Sequence, residues 1–185
     1  IRPPRRWTVP LKTVAPVMKD PEVTRAAGDI VADATIKMTG LDRRSDPAGA
    51  AGEVEVEMLR ADQAGPDDVL AASALIVATP ENLASMAGMT KDFFDRCWYP
   101  VLDRVNGRPF AAIVCAGSDG QGAIRQLERF ATGWRLRTVA EPLLVITHAQ
   151  TPEAILAPKT IAPAELARAA ERGATLAAGL AVGLW

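Results

Sequence analysis

The sequence predicts an α/β fold in which helices cover both faces of a doubly wound parallel sheet. The first observation is a set of short, continuously apolar segments, which are typical of strands buried on both faces. The second is that a segment with the apolar spacing of a helix follows each of them. Strands and helices alternating at this spacing favour right-handed crossovers and hence a doubly wound topology. The three apolar segments are residues 74–78, 110–115 and 143–146.

The region around the first apolar segment begins with an alternating strand. Polar and apolar side chains alternate in residues 53–59, which predicts a strand with one solvated face. A turn at residues 64–67 then leads into a short helix. After residues 74–78, apolar side chains at spacings of three and four predict a helix with one buried stripe that ends near residues 106–107. The members of this stripe are Met86, Met89, Phe93, Cys97 and Val101.

The second and third apolar segments also lead into helices. A glycine-rich loop at residues 116–122 separates the second segment from its helix. A loop with two prolines follows the third segment and precedes a long alanine-rich helix. Because proline is favourable in a first helical turn, Pro163 is the predicted start of that helix. The apolar face of the helix after residues 116–122 consists of Ile124, Leu127, Phe130 and Ala131.

The first fifty residues allow two interpretations. In one, residues 20–22 begin a helix with an apolar face between Val23 and Ala34, and residues 11–18 form the first strand. In the other, residues 30–38 contain the first strand, and residues 38–40 open the loop after it. The helix has the better local pattern, although Pro16 is awkward in a central strand.

Composition narrows the classes of partner. The chain has 185 residues, of which 49% are hydrophobic, and a net charge of -1. It is expected to form a single domain, residues 1–185, in which residues 1–52 are atypical. The near-neutral charge argues against nucleic acid or an anionic membrane as the main partner. No apolar run approaches the roughly 20 residues that a membrane span needs.

The cysteines and the histidine indicate neither a disulfide framework nor a metal site. Cys97 and Cys115 both lie in apolar surroundings, and His148 is the only histidine. Both cysteines are therefore interpreted as small buried side chains. A reducing, cytoplasmic compartment is the corresponding expectation.

Two unusual loops leave the carboxyl ends of predicted parallel strands, where ligands of such sheets bind. In the first, Pro80 keeps the chain extended, Glu81 and Asn82 offer polar groups, and the small residues after them leave room for a planar ligand. The alternative is a connecting loop in which Ser85 caps the next helix. In the second, residues 116–122, glycine N–H groups could cradle an anion or a ring edge, although tight turns also collect glycines.

No catalytic triad, metal cluster or pair of carboxylates stands out in the sequence. His148, beyond the third apolar segment, is interpreted either as a proton donor or aromatic wall of the site, or as a structural group. An enzyme of this kind would therefore take its chemistry from a cofactor.

Two segments, ALIVATPENLASMAGMTKDFFDR (residues 74–96) and FAAIVCAGSDGQGAIRQLERF (residues 110–130), resemble the flavodoxin-fold family of flavoproteins. The resemblance extends over residues 53–185. It is to the NAD(P)H-dependent FMN reductases and the tryptophan-repressor-binding-protein type of quinone oxidoreductase. It implies a flavodoxin-like, doubly wound, five-stranded parallel sheet with helices on both faces, FMN at its switch point and a homo-oligomer.

The resemblance also implies the residues of the flavin site. The isoalloxazine ring would lie between the loops after the third and fourth strands, and an acceptor would stack on its open face. Hydride would then pass through the flavin, with His148 as the one candidate catalytic side chain. The implied cofactor-binding residues are Thr79, Pro80, Glu81, Asn82, Leu83, Met86, Ala116, Gly117, Ser118, Asp119, Gly120 and Gly122.

The family binds the FMN phosphate in a loop rich in Ser, Thr and Gly after the first strand, and residues 1–52 contain no such recognisable loop. Residues 19–24 would offer two acidic side chains to a dianion. Residues 38–45 have better chemistry, with hydroxyls, a glycine and two arginines. Thr39, Gly40 and Ser45 are the phosphate candidates.

Three functions follow as hypotheses. The first is an FMN-dependent oxidoreductase that passes electrons from NADH or NADPH to a quinone or a similar small acceptor. The second is a non-catalytic flavodoxin-fold binding or assembly protein that has lost the FMN phosphate site. The third is a flavodoxin-type electron carrier, which the near-neutral charge disfavours, because such carriers are steered by a strongly acidic face.

Overall fold

The computed structural model describes residues 5–9, 34–40 and 54–184. Its strands are β1 (Arg5–Val9), β2 (Ala34–Gly40), β3 (Val54–Arg60), β4 (Ala74–Asn82), β5 (Ser85–Met86), β6 (Pro109–Ala116), β7 (Arg137–Thr138) and β8 (Leu143–Ile146). Its helices are α1 (Pro66–Ala71), α2 (Gly88–Val101), α3 (Gln121–Gly133), α4 (Pro152–Leu156) and α5 (Pro163–Ala181).

The three apolar segments form neighbouring strands of one sheet. β4 pairs in parallel with β6, which pairs in parallel with both β7 and β8. All eight residues of β6 are buried, which explains its unbroken apolar sequence. The predicted α/β fold with a doubly wound, flavodoxin-like sheet is confirmed.

The strands before β4 add an antiparallel part to the sheet, in the order β1-β3-β2-β4-β6. β2 runs antiparallel to both of its neighbours, β3 and β4. β3 therefore points in the same direction as β4, and β3, β4, β6, β7 and β8 share one direction. β2 corresponds to the strand predicted within residues 30–38, but its reversed direction was not expected, nor was β1.

Helices cover both faces, as predicted. Side chains alternate between the two faces along each strand. On β4, Leu75 and Val77 face a cluster that includes side chains of α1, α2 and α3, whereas Ile76 faces a second cluster that includes Leu176 of α5. We call these the first and second cores. The first core contains four aromatic rings in contact, those of Phe93, Phe94, Phe130 and Trp134.

Helix α2 begins later than its apolar spacing predicted. β4 continues to Asn82 and turns back as β5, so Met86 belongs to a strand, and Met89 is 39% exposed. The buried side of α2 consists of Thr90, Phe93, Phe94, Cys97 and Val101. The predicted start of α5 at Pro163 is confirmed.

The predicted solvated face of residues 53–59 is wrong at Glu57, which is only 6% exposed. Leu59, on the same face, joins the first core. Val56 and Met58, on the other face, pack against the second core. Both faces of β3 are therefore covered, because helices lie on both sides of the sheet. Within the ranges that the structure describes, no helix is long and apolar enough to cross a membrane.

Candidate functional site

The segments that follow β4, β6 and β8 meet at one edge of the sheet. Pro80 pairs with Cys115, and Ala116 pairs with Ile146. Because the three strands are parallel, the hairpin at the end of β4 and the segments 117–122 and 147–150 all lie at this edge, as the sequence predicted.

A buried hydroxyl group holds the base of the first loop. Thr79 is 1% exposed, and its Oγ1 donates to the carbonyl of Pro80 at 3.1 Å. The same oxygen accepts from the N–H of Ala87 at 3.1 Å and from Oγ1 of Thr90 at 3.0 Å. The hydroxyl of Thr79 thus shapes the loop from inside, and its predicted contact with FMN stays a prediction.

The loop after β4 is a tight hairpin with a strained tip. Glu81 pairs with Met86 and Asn82 with Ser85, so only Leu83 and Ala84 lie between the strands. Both have positive φ, 51° and 57°, as in a type I′ turn, which favours Asn-Gly. Each non-glycine residue in this region costs about 1–2 kcal/mol. Strain of this kind persists where surrounding contacts hold it, often at functional sites.

The carboxylate of Glu81 joins this hairpin to the glycine-rich loop. Its Oε2 accepts from the N–H of Gly120 at 2.7 Å. Its Oε1 accepts from the N–H groups of Gly122 at 3.0 Å and Ala123 at 3.2 Å. The glycine-rich loop therefore does bind an anion at the start of α3, but that anion is Glu81. The interpretation in which the N–H groups of Gly120 and Gly122 cradle a ligand anion is wrong for this reason.

Gln126 of α3 makes a second connection to the hairpin. Its Oε1 accepts from Oγ of Ser85 at 2.9 Å and from the N–H of Met86 at 3.0 Å. Ser85 therefore does not cap helix α2, whose N-cap position is Ala87. No local pattern in the sequence indicates this role of Gln126, because its partners lie 40 and 41 residues away along the chain.

Two glycines permit close backbone contacts between the loops. A Cβ atom on Gly122 would lie 2.0 Å from the carbonyl oxygen of Ala84. A Cβ atom on Gly117 would lie 2.6 Å from the carbonyl oxygen of Ala149, in the segment after β8. The glycines are thus required for contact between loops of this protein, which the sequence could not distinguish from contact with a ligand.

Several of the residues predicted to bind the cofactor are exposed at this edge. Asn82, Leu83, Ser118 and Asp119 are exposed, and Leu83 reaches 102% relative exposure. His148 is also exposed and has a positive φ of 56°. The hairpin tip and the loop at residues 118–119 are thus both exposed at the edge of the sheet where the parallel strands end.

Two of the phosphate candidates lie far from this edge. Because β2 is antiparallel to β4, Met38 pairs with Ala74 at the start of β4, and Gly40 lies beyond it. At about 3.4 Å per residue, Gly40 is roughly 20 Å or more along the sheet from Pro80. Thr39 and Gly40 are therefore wrong as phosphate ligands of a cofactor at the loops after β4 and β6. Ser45 lies outside the described residues.

Both cysteines are free and buried, as the sequence predicted. Burial raises the pKa of the Cys115 thiol at the end of β6, and the charge of Lys159 partly opposes this. The Lys159 ammonium donates to the carbonyls of Ala154, Ile155 and Ala157 at the end of α4. Cys115 is thus a protonated core side chain rather than a nucleophile at neutral pH.

A family model described as NADPH-dependent FMN reductase matches residues 50–151. The chain belongs to this family. Its fold is similar to a solved structure described as the flavodoxin, WrbA-like protein from Agrobacterium tumefaciens, with a TM-score of 0.51 and 17% sequence identity. That similarity covers 63% of this chain and 71% of the other. No curated protein matches the chain.

Membership of the NADPH-dependent FMN reductase family identifies FMN as the cofactor and NAD(P)H as the electron donor. The chain is an FMN-dependent oxidoreductase, and its substrate is a small-molecule electron acceptor. The matched residues contain both loops at the open edge of the sheet, together with the hydrogen bonds of Glu81 and Gln126 that hold them.

Proposed function

We propose that this reductase takes electrons from NADH or NADPH and delivers them to a quinone or a similar planar acceptor at the loops after β4 and β6. The observation that carries the proposal is the hairpin tip, which is held in a strained conformation and left exposed beside a second exposed loop. A planar acceptor suits this edge, because the exposed apolar side chain of Leu83 and the backbone of the hairpin tip offer surface on which a flat ring can stack.

Each loop has a separate role in the proposal. The backbone of Leu83 and Ala84 and the amide of Asn82 would hold the FMN ring from the first loop, and Ser118 and Asp119 would hold it from the second. FMN supplies the two-electron chemistry when it is bound. His148, exposed at the same edge, is the side chain placed to exchange a proton with solvent or acceptor.

The first test is the visible absorption spectrum of the purified protein, recorded before and after addition of FMN and dialysis. A flavin band that stays with the protein supports the proposal. A protein that stays colourless would contradict it and favour the non-catalytic function. Riboflavin is the matched ligand for comparison, because it has the same ring and lacks the phosphate.

The second test assigns donor and acceptor. Oxidation of NADH and NADPH is followed separately, with and without a benzoquinone, using FMN-loaded protein. The proposal expects quinone-dependent oxidation of at least one nucleotide. Free FMN at the same concentration is the control, since it reports the background rate. Rates equal to that background would contradict the proposal.

We also propose that the protein is a homo-oligomer, as the family resemblance implies. Exposed Tyr99 and Leu102, at the end of α2, provide apolar surface that a second copy could cover. Light scattering of the eluted protein over a range of concentrations tests this, and a monomer at every concentration would contradict it.

A further inference from the structure

We propose that Glu81 is a positioning residue for FMN, which joins the two flavin-binding loops and sets the electrostatic potential between them. This inference rests on the proposed function of these loops. It differs from the role implied by resemblance, in which Glu81 lies among the residues nearest the ring. Here the carboxylate acts through the backbone of both loops.

The geometry shows that Glu81 is committed to the protein. Its two carboxylate oxygens accept three N–H groups, from Gly120, Gly122 and Ala123, at 2.7 to 3.2 Å. A carboxylate that accepts several backbone N–H groups is held in one orientation. The partners lie 39 to 42 residues away, so the bonds connect two separate loops.

Gln126 completes the connection from the opposite direction. Glu81 extends from the hairpin to the start of α3, whereas Gln126 extends from the next turn of α3 to Ser85 and Met86. Each strand of the hairpin is thus held by one side chain. We call Glu81, Gln126 and their five partners the loop clamp; the partners are Ser85, Met86, Gly120, Gly122 and Ala123.

The clamp explains how the strained tip persists. Leu83 and Ala84 have positive φ, and Leu83 has no core contact to compensate, since it is fully exposed. The bonds of Glu81 and Gln126 lie immediately before and after these two residues. They hold the tip in one conformation without FMN, so that binding of the cofactor would not have to order it.

The carboxylate also neutralises the start of α3. A helix N-terminus carries a partial positive charge, equivalent to about half an elementary charge. With Glu81 in place, the negative charge of the carboxylate offsets the positive charge that this end would otherwise present to a flavin ring between the loops. Removing the carboxylate charge would favour the more negative, reduced form of the flavin and raise its reduction potential.

The test compares Glu81→Gln, which removes the charge and keeps the shape, with Gln126→Ala, which breaks the other half of the clamp. Glu128→Gln is the matched control, because Glu128 is an exposed glutamate on the same helix. FMN affinity is measured by fluorescence titration well below the melting temperature, and the potential of bound FMN by equilibration with a reference dye.

We expect the dissociation constant of FMN to rise about tenfold or more in both clamp variants and to stay unchanged in Glu128→Gln. The potential should rise only in Glu81→Gln. A tenfold change in the ratio of affinities for oxidised and reduced flavin corresponds to about 30 mV for a two-electron couple. A lower melting temperature with unchanged affinity and potential would overturn the proposal, since that is the result for a purely structural residue.

Hydrogen exchange of the FMN-free protein tests the clamp independently of the cofactor. Faster exchange of residues 82–86 and 117–123 in Glu81→Gln is expected, with little change in α5. Unchanged exchange in those loops would overturn the clamp itself. If the proposed function itself were wrong, the wild-type protein would bind no FMN even though its loops exchange slowly. That result differs from the one expected for failure of the clamp.

Discussion

At Gly122, the addition of a single methyl group should have a large effect on stability and on FMN binding. A methyl group at this position would lie 2.0 Å from the carbonyl oxygen of Ala84, and backbone cannot move away as a flexible side chain can. Gly122→Ala should therefore lower the free energy of unfolding by about 1–3 kcal/mol and weaken FMN binding. Urea denaturation and flavin titration measure the two effects.

Gly88→Ala is the matched control for Gly122→Ala. Gly88 is the first residue of α2, and a Cβ atom there would meet nothing within 4 Å. We expect stability to stay the same or to rise by up to about 1 kcal/mol. Equal losses of stability in the two variants would show that the contact between Gly122 and Ala84 has no special role.

Asn82 is an exposed polar side chain directly before the hairpin tip. If it lies beside the FMN ring, Asn82→Asp places a negative charge there and should weaken FMN binding or lower the flavin potential. This change in potential is opposite in sign to that expected for Glu81→Gln, which removes a charge. Unchanged affinity and potential would remove Asn82 from the site.

Cys97 should make stability depend on pH in the alkaline range. Burial raises its pKa from 9.0 to about 11, and the charge of Arg96 opposes this only in part. The unfolded thiol ionises first, so stability is complete below pH 9 and falls as the pH rises towards 11. The loss attributable to this thiol is about 2–3 kcal/mol, measured as the difference in pH dependence between wild type and Cys97→Ala.

At the scale of elements, helix α1 depends on a side chain from outside it. Arg108 Nη1 donates to the carbonyls of Val69, Leu70 and Ala72, at 2.6 to 2.9 Å, at the end of this six-residue helix. Burial and the charge of Arg104 lower the pKa of Arg108. The guanidinium stays charged nevertheless and satisfies carbonyls that a helix end leaves unpaired.

Arg108→Ala should destabilise the protein by about 1.5–3 kcal/mol, the range for hydrogen bonds to a charged group. Arg129→Ala, at an exposed position of α3, should change stability by less than about 0.5 kcal/mol. Denaturant titrations of the two variants provide the comparison. A loss in Arg129→Ala as large as that in Arg108→Ala would contradict this account of α1.

The elements also show what the sequence could and could not predict. β4, β6 and β8 were predictable because burial on both faces leaves an unbroken apolar run. The late start of α2 was not, because the hairpin of β4 and β5 depends on hydrogen bonds to residues about 40 positions away. For the same reason the sequence placed the glycine-rich loop correctly but could not show that Glu81 is the anion it holds.

At the scale of the whole molecule, the two cores share the strands that separate them. Leu176 of α5 is 2% exposed in the second core, whereas Trp98 and Trp134 pack in or against the first. Leu176→Ala should cost about 2–5 kcal/mol. If the cores unfold together, tryptophan fluorescence and far-ultraviolet circular dichroism will shift to the same lower denaturant midpoint.

Leu184→Ala is the control for Leu176→Ala, because Leu184 is 60% exposed. Its midpoint should match that of wild type. A fluorescence transition that stayed in place while circular dichroism shifted would contradict the expectation that the two cores unfold together.

The loop clamp divides the open edge of the sheet into positions that can vary and positions that cannot. Glu81, Gly122 and Gln126 are each tied to partners in another segment, so a change at one of them requires changes elsewhere. Asn82, Leu83, Ser118 and Asp119 are exposed, and their side chains can be exchanged singly. A mutant library intended to widen the range of acceptors should therefore randomise these four positions, leave the clamp intact and be screened first for retained FMN, because Asn82, Ser118 and Asp119 are also proposed to line the ring.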